Sequence, residues 1–227
     1  MLPETATRPR QVCVYVDGFN LYHRLLETRP ALKWLSLRKL AAEHLFPGSA
    51  LPVIKFFTAR IDPHASATAP TPKQARQSAY WRALESTKVE IITGSLEWRD
   101  HRCKSDACGR YERYRRMTEK MSDVNLALHL YRDFTERFPD VVCVISGDCD
   151  VVPALKMVRE HAHRVQRKVM IVVYLPSQDD GLFFNRLPRH HQVARTAKLG
   201  ESQLRLSQFP DQLVLADGVC ARPDTWR

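Results

Sequence analysis

The chain has 227 residues and carries 35 Lys+Arg against 25 Asp+Glu, a formal charge of +10, and its 44% apolar content is that of a folded domain rather than a disordered polyelectrolyte. Its longest apolar run, residues 169–175, falls far short of the roughly 20 residues of a membrane span, and residues 1–10 lack the apolar core of a signal peptide. Membrane and secreted classes are thereby disfavoured, and the expectation is a cytoplasmic, basic protein whose partner is a polyanion.

In chain order, residues 11–16 form a short apolar run that predicts a first strand, stopping at Asp17-Gly18. Residues 19–27 follow with Phe19, Tyr22 and Leu26 at helical spacing, and Ser36 is an N-cap candidate for a helix reaching Phe46, where Pro47-Gly48 stops it. A second strand is predicted over residues 53–59, a breaker-rich loop over 62–72, a helix over 73–84, and a third strand over 89–93 ending at Gly94. Between residues 97 and 120 basic residues accumulate and periodicity fades, which reads as a basic loop insertion. Order returns with a helix over 123–138, bearing Val124, Leu128 and Tyr131 on one stripe and Leu126, Leu130 and Phe134 on the next. A fourth strand (141–146), a helix (151–163) and a fifth strand (169–175) follow. The tail holds Arg189-His190-His191, a short helix near Val193 and a β-rich piece at 213–215.

Strands that are continuous apolar runs separated by helices predict a doubly wound α/β fold, a mostly parallel sheet with helices on both faces. The domain is expected over residues 10–200, with 97–120 as its basic insertion and 201–227 as an extension packed on it. Cys13 and Cys143 sit inside apolar strands, where a thiol acts as a small hydrophobe, and no disulfide framework is expected.

In such a sheet ligands bind at the carboxyl ends of the strands. The first strand ends in Asp17-Gly18-Phe19-Asn20, the fourth in Ser146-Gly147-Asp148-Cys149-Asp150, and the long helix before it opens at Ser122-Asp123. Each Asp alone is explained as a helix cap, but Asp148 and Asp150 cannot both cap one helix. Gly18 and Gly147 permit tight turns at these ends. Carboxylates gathered at one edge repel one another unless a cation joins them, and an all-oxygen set suits Mg²⁺ or Mn²⁺. Such ions act on phosphate esters.

Together, Asp17-Gly18-Phe19-Asn20, Glu119-Lys120-Met121-Ser122-Asp123-Val124, and Ser146-Gly147-Asp148-Cys149-Asp150 with Pro153 resemble the NYN domain, a branch of the PIN-like nuclease superfamily, and most closely its bacterial LabA-like members. The resemblance spans roughly residues 10–200. It implies a PIN-like fold and a metal-dependent phosphodiesterase, usually a ribonuclease. By that resemblance Asp17, Asp123 and Asp148 match the principal metal-binding acids, Asp150 the second acid of its block, and Asn20 the polar residue after the first Asp. Cys149 stands where Ser is common and Val151 where an aromatic residue is common. The expected site is therefore Asp17, Asn20, Asp123, Asp148 and Asp150, with the four acids as metal ligands. The nucleophile would be a metal-activated water, leaving 5′-phosphate and 3′-hydroxyl ends, and Ser146 reads as a small turn residue.

The expected partner is RNA, single-stranded or structured, and nothing in the sequence indicates an oligomer. Lys120, Arg113, Arg115 and Arg116, interleaved with Tyr111, Tyr114 and Trp98, are the candidate nucleic-acid contacts, stacking on bases being balanced against packing beneath the loop. Two further basic groups, residues 156–168 and 186–198, read as contact surfaces or as solvated faces. Cys103 and Cys108, with His101, have the spacing of half a zinc site, the alternative being two free loop thiols. Two alternatives to a nuclease stand: a non-catalytic RNA-binding regulator with the same fold, and a Toprim-like phosphotransfer enzyme, which shares the Asp148-Cys149-Asp150 pattern but calls for Glu where Asp17 stands.

Overall fold

The computed structural model describes residues 8–61, 70–102, 113–176 and 194–227, with the side chains of residues 116 and 117 excepted. Strand β1 (Val12–Asp17) is buried along its whole length, as its unbroken apolar run requires of a central strand covered on both faces. Helix α1 (Gly18–Leu21) leaves it directly and continues as a π-turn over Tyr22–Leu26. Ser36 caps α2 (Leu37–Lys39), its hydroxyl accepting from the Lys39 N–H, and α2 runs on as a π-helix through Leu40–Leu45. There follow β2 (Val53–Ala59), α3 (Pro72–Ser86), β3 (Val89–Arg102), β4 (Arg113–Lys120), α4 (Ser122–Arg137), β5 (Val141–Ile145), α5 (Val152–Arg164), β6 (Met170–Leu175), β7 (Arg195–Lys198), α6 (Glu201–Leu206), and the strands β8 (Gln212–Leu215) and β9 (Gly218–Ala221).

The main sheet has the order β4-β3-β2-β1-β5-β6-β7, parallel throughout except for the antiparallel β4. Strand alternation divides the core in two. Val12, Val14 and Val16 face a cluster containing Trp34, Leu35, Leu37 and Leu40, while Cys13 and Tyr15 face Leu126, Leu130 and Phe134 of α4 together with Leu155 and Val158 of α5. Helices therefore cover both faces, the expected α/β architecture. On α4 the buried stripe is Leu126, Leu130 and Phe134, whereas Val124 and Leu128 are exposed. Leu204, Phe209 and Cys220, from beyond residue 200, pack into the first cluster, and Trp34 donates its indole N–H to the Pro210 carbonyl at 2.8 Å. Burial pushes the Cys13 thiol up to about 11, so it stays protonated as a core hydrophobe. No described helix is long and apolar enough to cross a membrane.

Residues 97–120 differ from the expected loop. Strand β3 runs on past Gly94 to Arg102 and pairs with β4, from Ser95↔Lys120 to Arg102↔Arg113, making a two-stranded arm. Both faces of this arm meet solvent, so burial leaves no apolar alternation to read, and backbone pairing alone sets the strands. Gly94 is required where the arm begins, because a Cβ there would stand 2.3 Å from the Lys120 carbonyl oxygen. Gly18 answers to the same need rather than to a turn: its Cβ would fall 2.7 Å from the Phe57 carbonyl oxygen, and neither Gly18 nor Gly147 has a positive φ. Cys103, Cys108 and Tyr111 lie outside the described residues, as do Arg189-His190-His191, Val193 and residues 62–69.

Candidate metal centre

Strand order reverses at β1, which has β2 on one side and β5 on the other, and the crevice at the carboxyl ends of β1 and β5 is the switch point where doubly wound sheets bind ligands. Asp17 is the last residue of β1 and only 8% exposed. Its Oδ1 accepts the Asn20 N–H at 2.9 Å, capping α1, and its Oδ2 accepts the Ser146 hydroxyl at 2.9 Å. Ser146, buried after β5, in turn accepts the Asp148 N–H at 3.0 Å. The Asn20 side-chain oxygen accepts the Gly147 N–H at 2.7 Å, so Asn20 fastens the β5 loop to α1 and reaches Asp17 through its backbone. Asp148 caps the 3-10 turn Cys149–Val151, its Oδ1 taking the Asp150 N–H at 3.1 Å. Each cap engages a single carboxylate oxygen, so capping leaves the other oxygen of Asp148 unused and that of Asp17 on Ser146.

Asp123 reaches the crevice from the first turn of α4. The start of that helix is pinned by Ser122, whose hydroxyl donates to the Thr58 carbonyl at 3.4 Å and whose N–H donates to Glu119 Oε1 at 2.9 Å. Burial raises the Asp17 carboxyl, the Asn20 and Ser146 hydrogen bonds oppose that, and the charges of Asp148 and Glu119 add to it. Asp123 is pushed up to about 6, by desolvation first and then by the charges of Asp17, Glu119, Asp148 and Asp150. Ligand atoms of Asp148, Cys149 and Asp150 lie within 4.8 Å of one another. Asp17 and Asp123 stand outside that triplet and are coupled to it by charge, Asp17 also through Ser146. The donor chemistry fits a hard divalent cation, with Cys149 the one soft atom.

Three residues of the crevice were not singled out as site residues from the sequence. Glu119 joins the acids, Ser146 is the shared hydrogen-bond partner of Asp17 and Asp148, and Arg24 brings a cation beside Gly147, where a Cβ would meet Arg24 Cδ at 3.5 Å. Glu119 and Ser146 stand in the blocks Glu119–Val124 and Ser146–Asp150, which is where their signal lay, though Ser146 reads there as a turn residue. Arg24 carried none, and its approach to Gly147, like that of Ser146 to Asp17, spans more than a hundred residues.

The unbroken register of the arm also sorts the basic and aromatic candidates by face. Glu119, Arg115 and Arg113 share one face with Trp98 and Arg102, while Lys120 and Tyr114 lie on the other with Arg99 and His101. Lys120 therefore does not share the pleat face of Glu119. Trp98 is 53% exposed, and Tyr114, 47% exposed, stacks one side of its ring on His101 at 5.5 Å between centroids. Asp100 pairs with Arg115 at 3.3 Å.

The sequence profile of the NYN domain matches residues 11–182. Over 251 aligned positions the chain is 30% identical to the 6-hydroxy-3-succinoylpyridine 3-monooxygenase HspA of Pseudomonas putida (strain DSM 28022 / S16), covering 97% of this chain and 76% of that protein. Among solved structures, a protein of unknown function from Vibrio parahaemolyticus RIMD 2210633 shares the fold, with a TM-score of 0.50 at 14% identity over 87% of this chain and 98% of that one.

Proposed function

This chain belongs to the NYN domain family, a nuclease-type domain, and on that premise we propose that it is a Mg²⁺- or Mn²⁺-dependent phosphodiesterase that cleaves single-stranded or loop RNA. The observation that carries the proposal is the convergence of Asp17, Glu119, Asp123, Asp148 and Asp150 on the switch-point crevice, where desolvation and then the charges of the other four acids lift Asp123 to about 6. Asp148 and Asp150 would hold the cation, with Asp17 and Asp123 completing its surroundings directly or through water. A divalent ion bound there supplies a Lewis acid for the phosphoryl oxygens and a lowered pKa for its water. Ser146 and the Asn20 N–H keep Asp17 oriented and favour its ionised form against the opposing effect of burial. Arg24 supplies positive charge beside the Gly147 loop for a substrate phosphate. Trp98, on the face of the arm that carries Glu119, offers a ring for a base entering the crevice, flanked by Arg102, Arg113 and Arg115.

The test is cleavage of end-labelled single-stranded RNA and DNA with Mg²⁺, Mn²⁺ or EDTA, comparing the native chain with Asp17→Asn and Asp148→Asn. We expect metal-dependent RNA cleavage that falls by about a hundredfold or more in each variant. Cleavage that survives both substitutions, or that persists in EDTA, overturns the proposal.

A second reading comes from the monooxygenase relative, whose likeness extends beyond the NYN match into the last forty-five residues of the chain. Monooxygenation consumes O₂ and a two-electron donor, and a dinucleotide donor is ordinarily held by a glycine-rich first turn. Here that turn is Asp17-Gly18-Phe19-Asn20, and carboxylates stand where a pyrophosphate would have to lie. Oxygen uptake with 6-hydroxy-3-succinoylpyridine and a reduced nicotinamide, unaltered by Asp148→Asn, would favour this second reading.

A further inference from the structure

At the amino edge of the sheet, opposite the acidic crevice, a groove of about 500 Å³ is lined by Arg8, Arg10, Arg159, Lys168 and Arg195, with Asp140 the single acid among its lining residues. These cations come from four separate places in the chain. Arg8 and Arg10 precede β1, Arg159 lies on α5, Lys168 precedes β6, and Arg195 begins β7. Asp140 is already engaged, accepting from Arg8 at 2.9 Å and from the Gln11 N–H at 2.8 Å. Among the described residues it leaves Arg10, Lys168 and Arg195 without an ion-pair partner.

Helix dipoles do not account for this gathering. Cations commonly complement helix carboxyl ends, and Arg164 at the end of α5 fits that role, with Arg167 just beyond it stacked over Phe138 at 5.0 Å. Arg10, Lys168 and Arg195 are instead on or beside strand ends, outside the last turn of any helix. Like charges converging on one concavity repel, and an anion relieves the repulsion. The size of the groove is that of a small-ligand site, and the side wall at the start of β6, formed by Val169 and Ile171, is apolar.

We propose that this groove is a second, non-catalytic anion site that takes phosphate groups, carried by a free nucleotide or pyrophosphate or by a strand of RNA. It lies a full strand length from the acidic crevice, about 16–20 Å along β1, and does not depend on the nuclease reading. Its ligand is recognised by charge-assisted hydrogen bonds from guanidinium and ammonium groups, the chemistry that suits phosphate.

The experiment measures binding in EDTA to three probes: inorganic pyrophosphate and ADP by titration calorimetry, and a short fluorescein-labelled single-stranded RNA by anisotropy across a salt series. The proteins are the native chain, Lys168→Ala/Arg195→Ala, Asp140→Asn and the crevice variant Asp17→Asn. Lys168 and Arg195 are both exposed, so the double variant retains the core. At least one probe is expected to bind about tenfold more weakly to the double variant and more tightly to Asp140→Asn, with Asp17→Asn causing no loss. A loss confined to pyrophosphate and ADP identifies a free phosphorylated ligand. A loss confined to RNA, with the log–log salt slope reduced by about 1.4, identifies a strand. Affinities unchanged within about twofold for all three probes, or no measurable binding of any of them to the native chain, overturn the proposal.

Discussion

Helix α4 carries a carboxylate problem at each end and solves the two in opposite ways. Near its carboxyl end, Asp133 is 1% exposed and meets Lys55 of β2, also 1% exposed, at 2.6 Å. Tyr15 donates its hydroxyl to the same carboxylate at 3.2 Å, and the lysine also approaches His129 at 3.3 Å and Glu90 at 3.6 Å. Near its amino end, Asp123 faces Asp17, Glu119, Asp148 and Asp150, and its carboxyl is pushed up to about 6. The buried charge is neutralised from within the chain, whereas the crevice charges meet one another. Compensation, rather than burial, separates Asp133 from the acids proposed to hold metal.

The comparison is broken or sharpened most directly at Lys55. Lys55→Met leaves Asp133 buried without its closest cation, with only Arg132 and Arg137 at 3.7 and 3.8 Å, and is expected to cost about 3 kcal/mol of stability, measured by urea unfolding. Adding Asp133→Asn, which keeps an acceptor for Tyr15, is expected to restore most of that loss. A double variant as unstable as Lys55→Met would mean that shape, not charge, holds α4 to the sheet.

The crevice should respond to a ligand where the Lys55 pair does not. Mn²⁺ at about a hundred times its dissociation constant is expected to stabilise the native chain by about 2.7 kcal/mol. Asp148→Asn should lose that gain while matching the native chain in EDTA. Equal stabilisation of both proteins would place the cation elsewhere.

The smallest effect concerns pH. Asp123 has a carboxyl raised from 3.8 to about 6 on folding, so its contribution to stability is full below about pH 4 and is lost as pH rises through 6. In EDTA, Asp123→Asn should therefore melt above the native chain at pH 7.5 and level with it near pH 4. The carboxyl is exposed, so screening keeps the gain under about 1 kcal/mol, about 2–4 °C in melting temperature. A variant less stable than the native chain at pH 7.5 would show that Asp123 is structurally compensated after all.

Much of this arrangement is legible in the residues alone. Continuous apolar runs such as Val12 to Val16 and Val141 to Ile145 can only be central strands, and strands separated by helices prescribe a parallel sheet. Once the strand ends are known, Asp17 and Asp148 fall at the carboxyl edge, because an acid that ends an apolar strand must emerge there. Ser36 as a cap and the buried character of Cys13 are equally local.

Tertiary structure alone decided the rest. The β3–β4 arm left no pattern, since solvent on both faces removes the burial contrast that periodicity reads. Which pleat face carries Trp98 and which Lys120 is set by register, a long-range property in which a one-residue slip exchanges the faces. Ser146 joins Asp17 across 129 residues of sequence, and the amino-edge groove collects its cations from four segments. A sequence determines which residues are charged and which strands are buried. Whether a charge meets a partner, as Asp133 does, or gathers with its like, as Asp123 does, depends on chain segments that only folding brings together.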